Sequence, residues 1–166
     1  MADELARTPP HNIEAEQSIF GSIFLDKDAM FKISDVVGPE DFYKDSHRYI
    51  YETVLELHDR HEPIDILTVG SRLEEKKQLE TAGGRSYLIT LTNFVPSSYN
   101  MVHYAQIVHK KATLRRLIGA AGDITRIGYD ESQELETVLD IAQQTLFGVS
   151  QKFLKQTFQP IRNILT

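Results

Sequence analysis

Between residues 13 and 25 the apolar side chains Ile19, Phe20, Ile23 and Phe24 recur at helical spacing, with Gly21 inside the run. Asn12 stands in front of it as an N-cap, and Glu14 and Glu16 place negative charge at the positive end of the helix. Gly21 weakens that helix by roughly 1 kcal/mol relative to Ala, so it marks either the close approach of another helix or a tolerated accident. Before it, Pro9-Pro10 closes an extended leader over residues 1–12. The same reading gives a short helix over 29–37, ended by Gly38-Pro39, and a turn at Asp41-Phe42-Tyr43. Ser46 then caps a helix over 48–60 that presents Tyr49, Ile50, Val54 and Leu57 on one face. Pro63 and Asp65 start a further helix carrying Leu67, Val69 and Leu73, and past the Gly83-Gly84 break another runs over 85–94 to Pro96-Ser97-Ser98. The β-branched stretch 64–69 also fits a strand, but no partner strand appears. Residues 13–98 therefore read as an all-α globular head.

The second half differs in kind. A proline-free helical pattern covers 99–127, with Ile107, Leu114 and Ala121 seven apart and Leu117 and Ile124 likewise. Gly128-Tyr129-Asp130 turns the chain, and a second long helix covers 132–153. It carries Leu135, Val138, Ala142, Thr145 and Val149 on one seam and Leu139, Leu146 and Phe153 on a second row. Two rows exceed what an antiparallel hairpin over 99–153 can cover. The surplus predicts self-assembly through Leu139, Leu146, Ala142 and Val149, with docking back onto the head as the alternative. Residues 154–166 read as a polar linker followed by a truncated linker helix: Pro160 suits a first turn, and Ile161, Ile164 and Leu165 begin an apolar stripe for docking elsewhere. So short a helix does not hold alone, which predicts that these 166 residues are a piece of a longer protein.

Charge sharpens this picture. Residues 1–100 carry a net charge of −8, residues 101–127 a net of +4, and the whole chain −6. An acidic head is a poor match to phosphate-dominated DNA binding, so this part is not expected to hold DNA strongly. The basic helix suits an acidic protein partner or a solvated face, and its nucleic-acid alternative is a DNA-binding helical domain using Lys110, Lys111, Arg115 and Arg116. Cysteine is absent, which fits a reducing cytoplasm and removes thiolate metal sites and Cys nucleophiles. No apolar run spans a bilayer, and the first eight residues lack the apolar segment of a secretory signal, so neither a membrane nor export is expected.

Catalytic signals are missing. A phosphate-binding loop needs G-x-x-x-x-G-K-[ST], and the nearest stretch, Gly83-Gly84-Arg85-Ser86, lacks both the Lys and the spacing. His58 and His61, flanked by Asp59 and Glu62, lack third and fourth ligands at a diagnostic spacing and read as a polar helix end. No nucleophile elbow or triad pattern is present. No catalytic residue, metal or cofactor is expected in these residues.

The opening pattern P-P-x-x-x-E-A-E-x-x-x-x-G-x-x-x-L-D over 9–26 resembles the start of the amino-terminal domain of the bacterial replicative DNA helicase, the DnaB family. The resemblance extends in order through Glu40-Asp41-Phe42-Tyr43, Pro63-Ile64-Asp65, Gly83-Gly84-Arg85-Ser86-Tyr87-Leu88, Val95-Pro96, Tyr104-Ala105-Gln106-Ile107-Val108 and the run 111–118. It implies an all-α head and helical hairpin that pair into dimers and build a trimer of dimers. That collar sits on a ring of motor domains and recruits primase, with a helicase loader as a further partner in the bacterial cytoplasm. The motor domain, which would bind ATP and Mg²⁺, is missing from this sequence. For primase, the sequence offers Ile118 and Ile124, off the 107–114–121 row and flanked by Arg115 and Arg116, with Tyr87 near the glycine turn as a further candidate.

Overall fold

The computed structural model describes residues 7–94 and 100–165, with side chains described as far as Leu154 in the last helix. Among the described residues it is all-helical: α1 Ile13–Leu25, α2 Ala29–Ile33, α3 Asp45–Asp59, α4 Ile66–Glu75, α5 Gly84–Leu91, α6 Met101–Tyr129 and α7 Leu135–Leu165, with a 3₁₀ turn at Pro39–Asp41. Two compact units result. One is His11–Ala112; the other joins the described residues up to Pro10 with those from Thr113 onward.

In the head, α1 is capped as its sequence predicts, with Asn12 Oδ1 accepting the Ala15 amide at 2.9 Å. Ile19, Phe20 and Ile23 are buried, and Phe20 packs against Phe42 and Tyr51 with ring centroids 5.3 and 6.4 Å apart. Gly21 is a close approach. A Cβ built there would overlap the carbonyl oxygen of Phe94 and lie 3.1 Å from that of Leu91, so only a hydrogen lets the end of α5 reach α1. The stretch 64–69 is no strand but the entry to α4, helical from Ile66, where Asp65 and Thr68 cap it reciprocally at 2.8 and 2.9 Å. At the glycine break, Gly83 and Gly84 take φ of +101° and +81°, and α5 starts one residue earlier than expected.

Several boundaries differ from the sequence reading. The second helix stops at Ile33, and Val36 and Val37 bond back to the Ile33 carbonyl as turns. β-branched pairs ahead of Gly-Pro are poor helix formers, which accounts for the early stop. α3 begins at Asp45, so Ser46 is not its cap. Its entry is secured instead by a carboxylate from α1, described below. The expected head boundary at 98 falls in residues 95–99, outside those described; the head's compact unit includes the first part of α6, whose Met101, Ala105 and Val108 join the core.

In the second unit, α6 continues to Tyr129, residues 130–134 turn the chain, and α7 starts at Leu135 rather than 132. So short a connection makes the two helices an antiparallel hairpin. Along α6, Ala120 is buried while Ala121 is exposed, and Ile124 and Ile127 are half-buried. The 107–114–121 row is thus corrected to one through 113, 116, 120, 124 and 127, because a straight helix drifts about 20° per heptad against a strict seven-residue repeat. α7 passes unbroken through the stretch expected as a linker. Lys, Gln and Leu there are all good helix formers, so polarity alone was a misleading sign of a break. The side chains of Ile161, Ile164 and Leu165 lie outside those described, as does Thr166 altogether.

Replacing Gly21 by Ala is expected to destabilise the head by about 1–3 kcal/mol, since overpacking outweighs the gain in helix propensity. Gly148→Ala, where nothing lies within 4 Å of an added Cβ, is the control and is expected to stabilise slightly. Urea unfolding of the two variants, with equal stability as the contrary result, checks this.

Candidate interaction surfaces

The head is closed by a buried polar cluster. The Glu16 carboxylate, only 1% exposed, accepts the Tyr43 amide at 2.8 Å and the Lys44 amide at 3.4 Å. Its Oε1 also lies 2.8 Å from Nδ1 of the fully buried His47, and His47 Nε2 lies 2.5 Å from the Tyr87 hydroxyl. Tyr87 stacks on His47 with centroids 5.8 Å apart, and Lys44 Nζ stands 4.5 Å over the Tyr87 ring. Tyr87, predicted as a primase contact, is therefore half-buried and engaged inside the head. A second buried carboxylate, Asp41, accepts the Gly38 amide at 2.9 Å and approaches His109 Nδ1 at 3.2 Å. Burial pushes the Tyr51 phenol well above its usual range, and its hydroxyl donates to the Val37 carbonyl at 2.8 Å.

These groups are arranged for structure rather than reaction. Glu16 is held by two backbone amides and a ring nitrogen, and Asp41 by one backbone amide and a ring nitrogen. On the head's surface, Arg72 makes two bonds to Glu56 Oε1, at 3.1 and 2.6 Å, with Lys76 Nζ 3.3 Å from the other oxygen. The Arg72 bonds are the main cause holding the Glu56 carboxyl down at about 2. His58 and His61 belong to no group of three or more metal-ligating side chains among the described residues. His58 instead meets the edge of Phe31, centroids 4.7 Å apart.

On the second unit, Ile118 is 57% exposed, whereas Ile124 is half-buried on the inward row. Arg115 and Arg116 are half-buried rather than fully solvated, and Arg115 Nη1 donates to the Pro10 carbonyl at 2.7 Å. Arg115 and Ile118 line one concavity of about 510 Å³ with Arg7, Thr8, Pro9 and Gly119. The end of the leader is thereby held against α6. Along α7, Val138, Ala142, Thr145 and Val149 are half-buried, and Leu139 and Leu146 are 55% and 48% exposed. Leu135, Phe147, Phe153 and Leu154 extend this exposed surface. Of the four residues predicted for self-assembly, Leu139 and Leu146 are thus outward-facing and Ala142 and Val149 are on the partly covered side.

Residues 8–110 match the family model described as DnaB-like helicase N terminal domain. This chain belongs to that family. Among relatives of this DnaB-family domain is the replicative DNA helicase DnaC of Bacillus subtilis (strain 168), 45% identical over 159 residues that cover 96% of this chain and 35% of the relative. The replicative DNA helicase DnaB of Geobacillus stearothermophilus is 42% identical over the same fractions. The chain thus spans about a third of the length of these curated relatives. The crystal structure of the N-terminal domain of DnaB helicase from Mycobacterium tuberculosis superposes with a TM-score of 0.81 at 38% identity, covering 85% of this chain and 99% of that one. The structure of a DnaB-like replicative helicase and its interactions with primase shares the fold, with a TM-score of 0.64 at 23% identity, over 93% of this chain and 34% of that one.

Sequence reasoning missed the Glu16–His47–Tyr87 cluster. Its signal was available: Glu16 falls on the same helical face as Ile19, Phe20 and Ile23, a position that faces the core. Tyr87→Phe removes the hydroxyl that meets His47 and Lys44, and is expected to lower head stability by about 1 kcal/mol. Chemical denaturation measures it; an unchanged midpoint would show the hydroxyl to be structurally idle.

Proposed function

We propose that this chain is the amino-terminal assembly and primase-recruitment domain of a bacterial replicative DNA helicase. The observation that carries the reading is the exposed apolar row on α7, with Leu139 and Leu146 seven residues apart and Phe147 and Phe153 beside them. Burying each such side chain is worth roughly 1.5–3 kcal/mol, so a second copy laid along this row gains enough to pair. Family membership supports the same use: hairpin-paired dimers would build a hexameric collar above a ring of motor domains. Those motor domains, in the remainder of the protein, would bind ATP and Mg²⁺ and act on DNA in the bacterial cytoplasm, with a helicase loader as a further partner.

For primase, the exposed Ile118 beside the Arg115 guanidinium and Arg116 suits a groove with an acidic rim. Primase interactions belong to a DnaB-like replicative helicase of the same fold, which favours this partner class. Ile124 and Tyr87 are the weaker candidates, being half-buried. A nucleic-acid-binding reading has less support, since residues 1–100 carry a net charge of −8.

Changing Leu139 and Leu146 together to Glu would place two carboxylates in an apolar seam, which costs several kcal/mol unless they are paired. Sedimentation over a range of concentrations is expected to find this variant monomeric, with an unchanged helical circular dichroism signal. Persistence of the oligomer removes the row from the interface, and unfolding assigns both residues to the chain's own core.

Ile118→Asn is expected to weaken binding of the primase carboxyl-terminal domain by about 1–2 kcal/mol without altering the mass in solution. Titration calorimetry beside sedimentation checks both. Joint loss of mass and binding would put Ile118 in the assembly seam, and unchanged binding would remove it from the recruitment surface.

A further inference from the structure

We propose that the head carries a docking groove for a basic amphipathic helix of a protein partner, between the carboxyl end of α1, α2 and the α3–α4 connection. The groove encloses about 640 Å³, within the roughly 300–1,000 Å³ of ordinary concave binding sites. Every residue lining it belongs to the compact unit His11–Ala112, so it is complete in the head alone. Ile23, Phe24, Met30 and Ile64 supply the apolar floor. On its walls Leu25 and Phe31 are 64% and 68% exposed, two large apolar side chains that the head's own core leaves uncovered. Phe31 is braced by the edge contact with His58, so the wall is preformed. Phe24 and Asp65 also line a shallower hollow of about 360 Å³ with Leu67, itself 70% exposed, and the apolar surface continues in that direction.

Charge selects the occupant. The lining contains Asp26, Glu62 and Asp65 against Lys27, and Asp28 and Asp59 are exposed next to it in the chain. Lys32 pairs with Asp26 at 3.1 Å and offsets that carboxylate, so the rim's acidic character rests on Glu62 and Asp65 with Asp28 and Asp59 beside them, while Arg60 is drawn away to Glu56 at 3.0 Å. An apolar trough with an acidic rim fits a helix whose apolar anchors at i, i+3 and i+4 are flanked by Lys or Arg. A second head would bring like charge to this rim, as would nucleic acid. The inference stands apart from the assembly reading, because none of these residues lies on α7.

The test is an amide-shift titration of the isotope-labelled chain with a Leu/Lys amphipathic peptide of about five helical turns, beside its Leu/Glu counterpart. Shifts are expected over 23–31 and 58–67, with affinity falling about tenfold in Phe31→Ala and in Glu62→Lys and weakening as salt rises. Leu25→Ser, at a second exposed wall position, is expected to act as Phe31→Ala does. Equal binding of the Leu/Glu peptide overturns the proposal, as do shifts confined to 135–154 or an unaffected Phe31→Ala variant. A fall in the mass of the free chain on Phe31→Ala also overturns it, since the groove would then be an interface between copies.

Discussion

The Glu16 carboxylate is the interaction on which the head's arrangement depends. Removing a charge from water is costly unless every lone pair is answered, and here two backbone amides and the His47 ring answer it. Because the amides belong to Tyr43 and Lys44, the carboxylate from α1 fixes where α3 begins. Because His47 also meets Tyr87, the same carboxylate sets the position of α5 through one intermediary. The close approach at Gly21, one turn further along α1, holds the other end of α5 through van der Waals contact alone. A polar clamp and a steric notch on one helix thus orient the same neighbour.

Much of this fold was legible wherever the determining residues are close in sequence. The Asn12 cap, the Asp65–Thr68 cap and the glycine break are local devices, and each acts within a few residues. The first apolar stripe was equally readable because its period is local. What failed depended on distant partners or on accumulated geometry. The start of α3 is set by a side chain 27 residues away, which no capping rule anticipates. The inward row of α6 shifted from Ala121 to Ala120 because small angular errors add along a long helix. The candidate surfaces were half legible for the same reason. The exposed Leu139 and Leu146 follow from a row in excess of what one partner helix covers, whereas the engagement of Tyr87 and Arg115 required contacts 40 and 105 residues apart.

The two units also divide apolar surface differently. In the head, large side chains such as Tyr51, Phe20, Phe42 and Leu88 are fully enclosed, and its large exposed apolar side chains include Leu25, Phe31, Leu67 and Ile89. Along the hairpin few side chains are enclosed, and apolar groups remain outward over much of α7. A unit with a filled core keeps its shape by itself, while one with this much uncovered surface draws stability from whatever lies against it.

The bond from the Tyr43 amide to Glu16 carries one more consequence. Amides just ahead of a helix usually exchange their hydrogens with solvent quickly, since no carbonyl of the preceding turn protects them. Tyr43 is protected by a side chain from another helix, so its hydrogen is released only when α1 and α3 separate. A single backbone position therefore times the opening of the head, and slow exchange there distinguishes motion of whole helices from fraying at their ends.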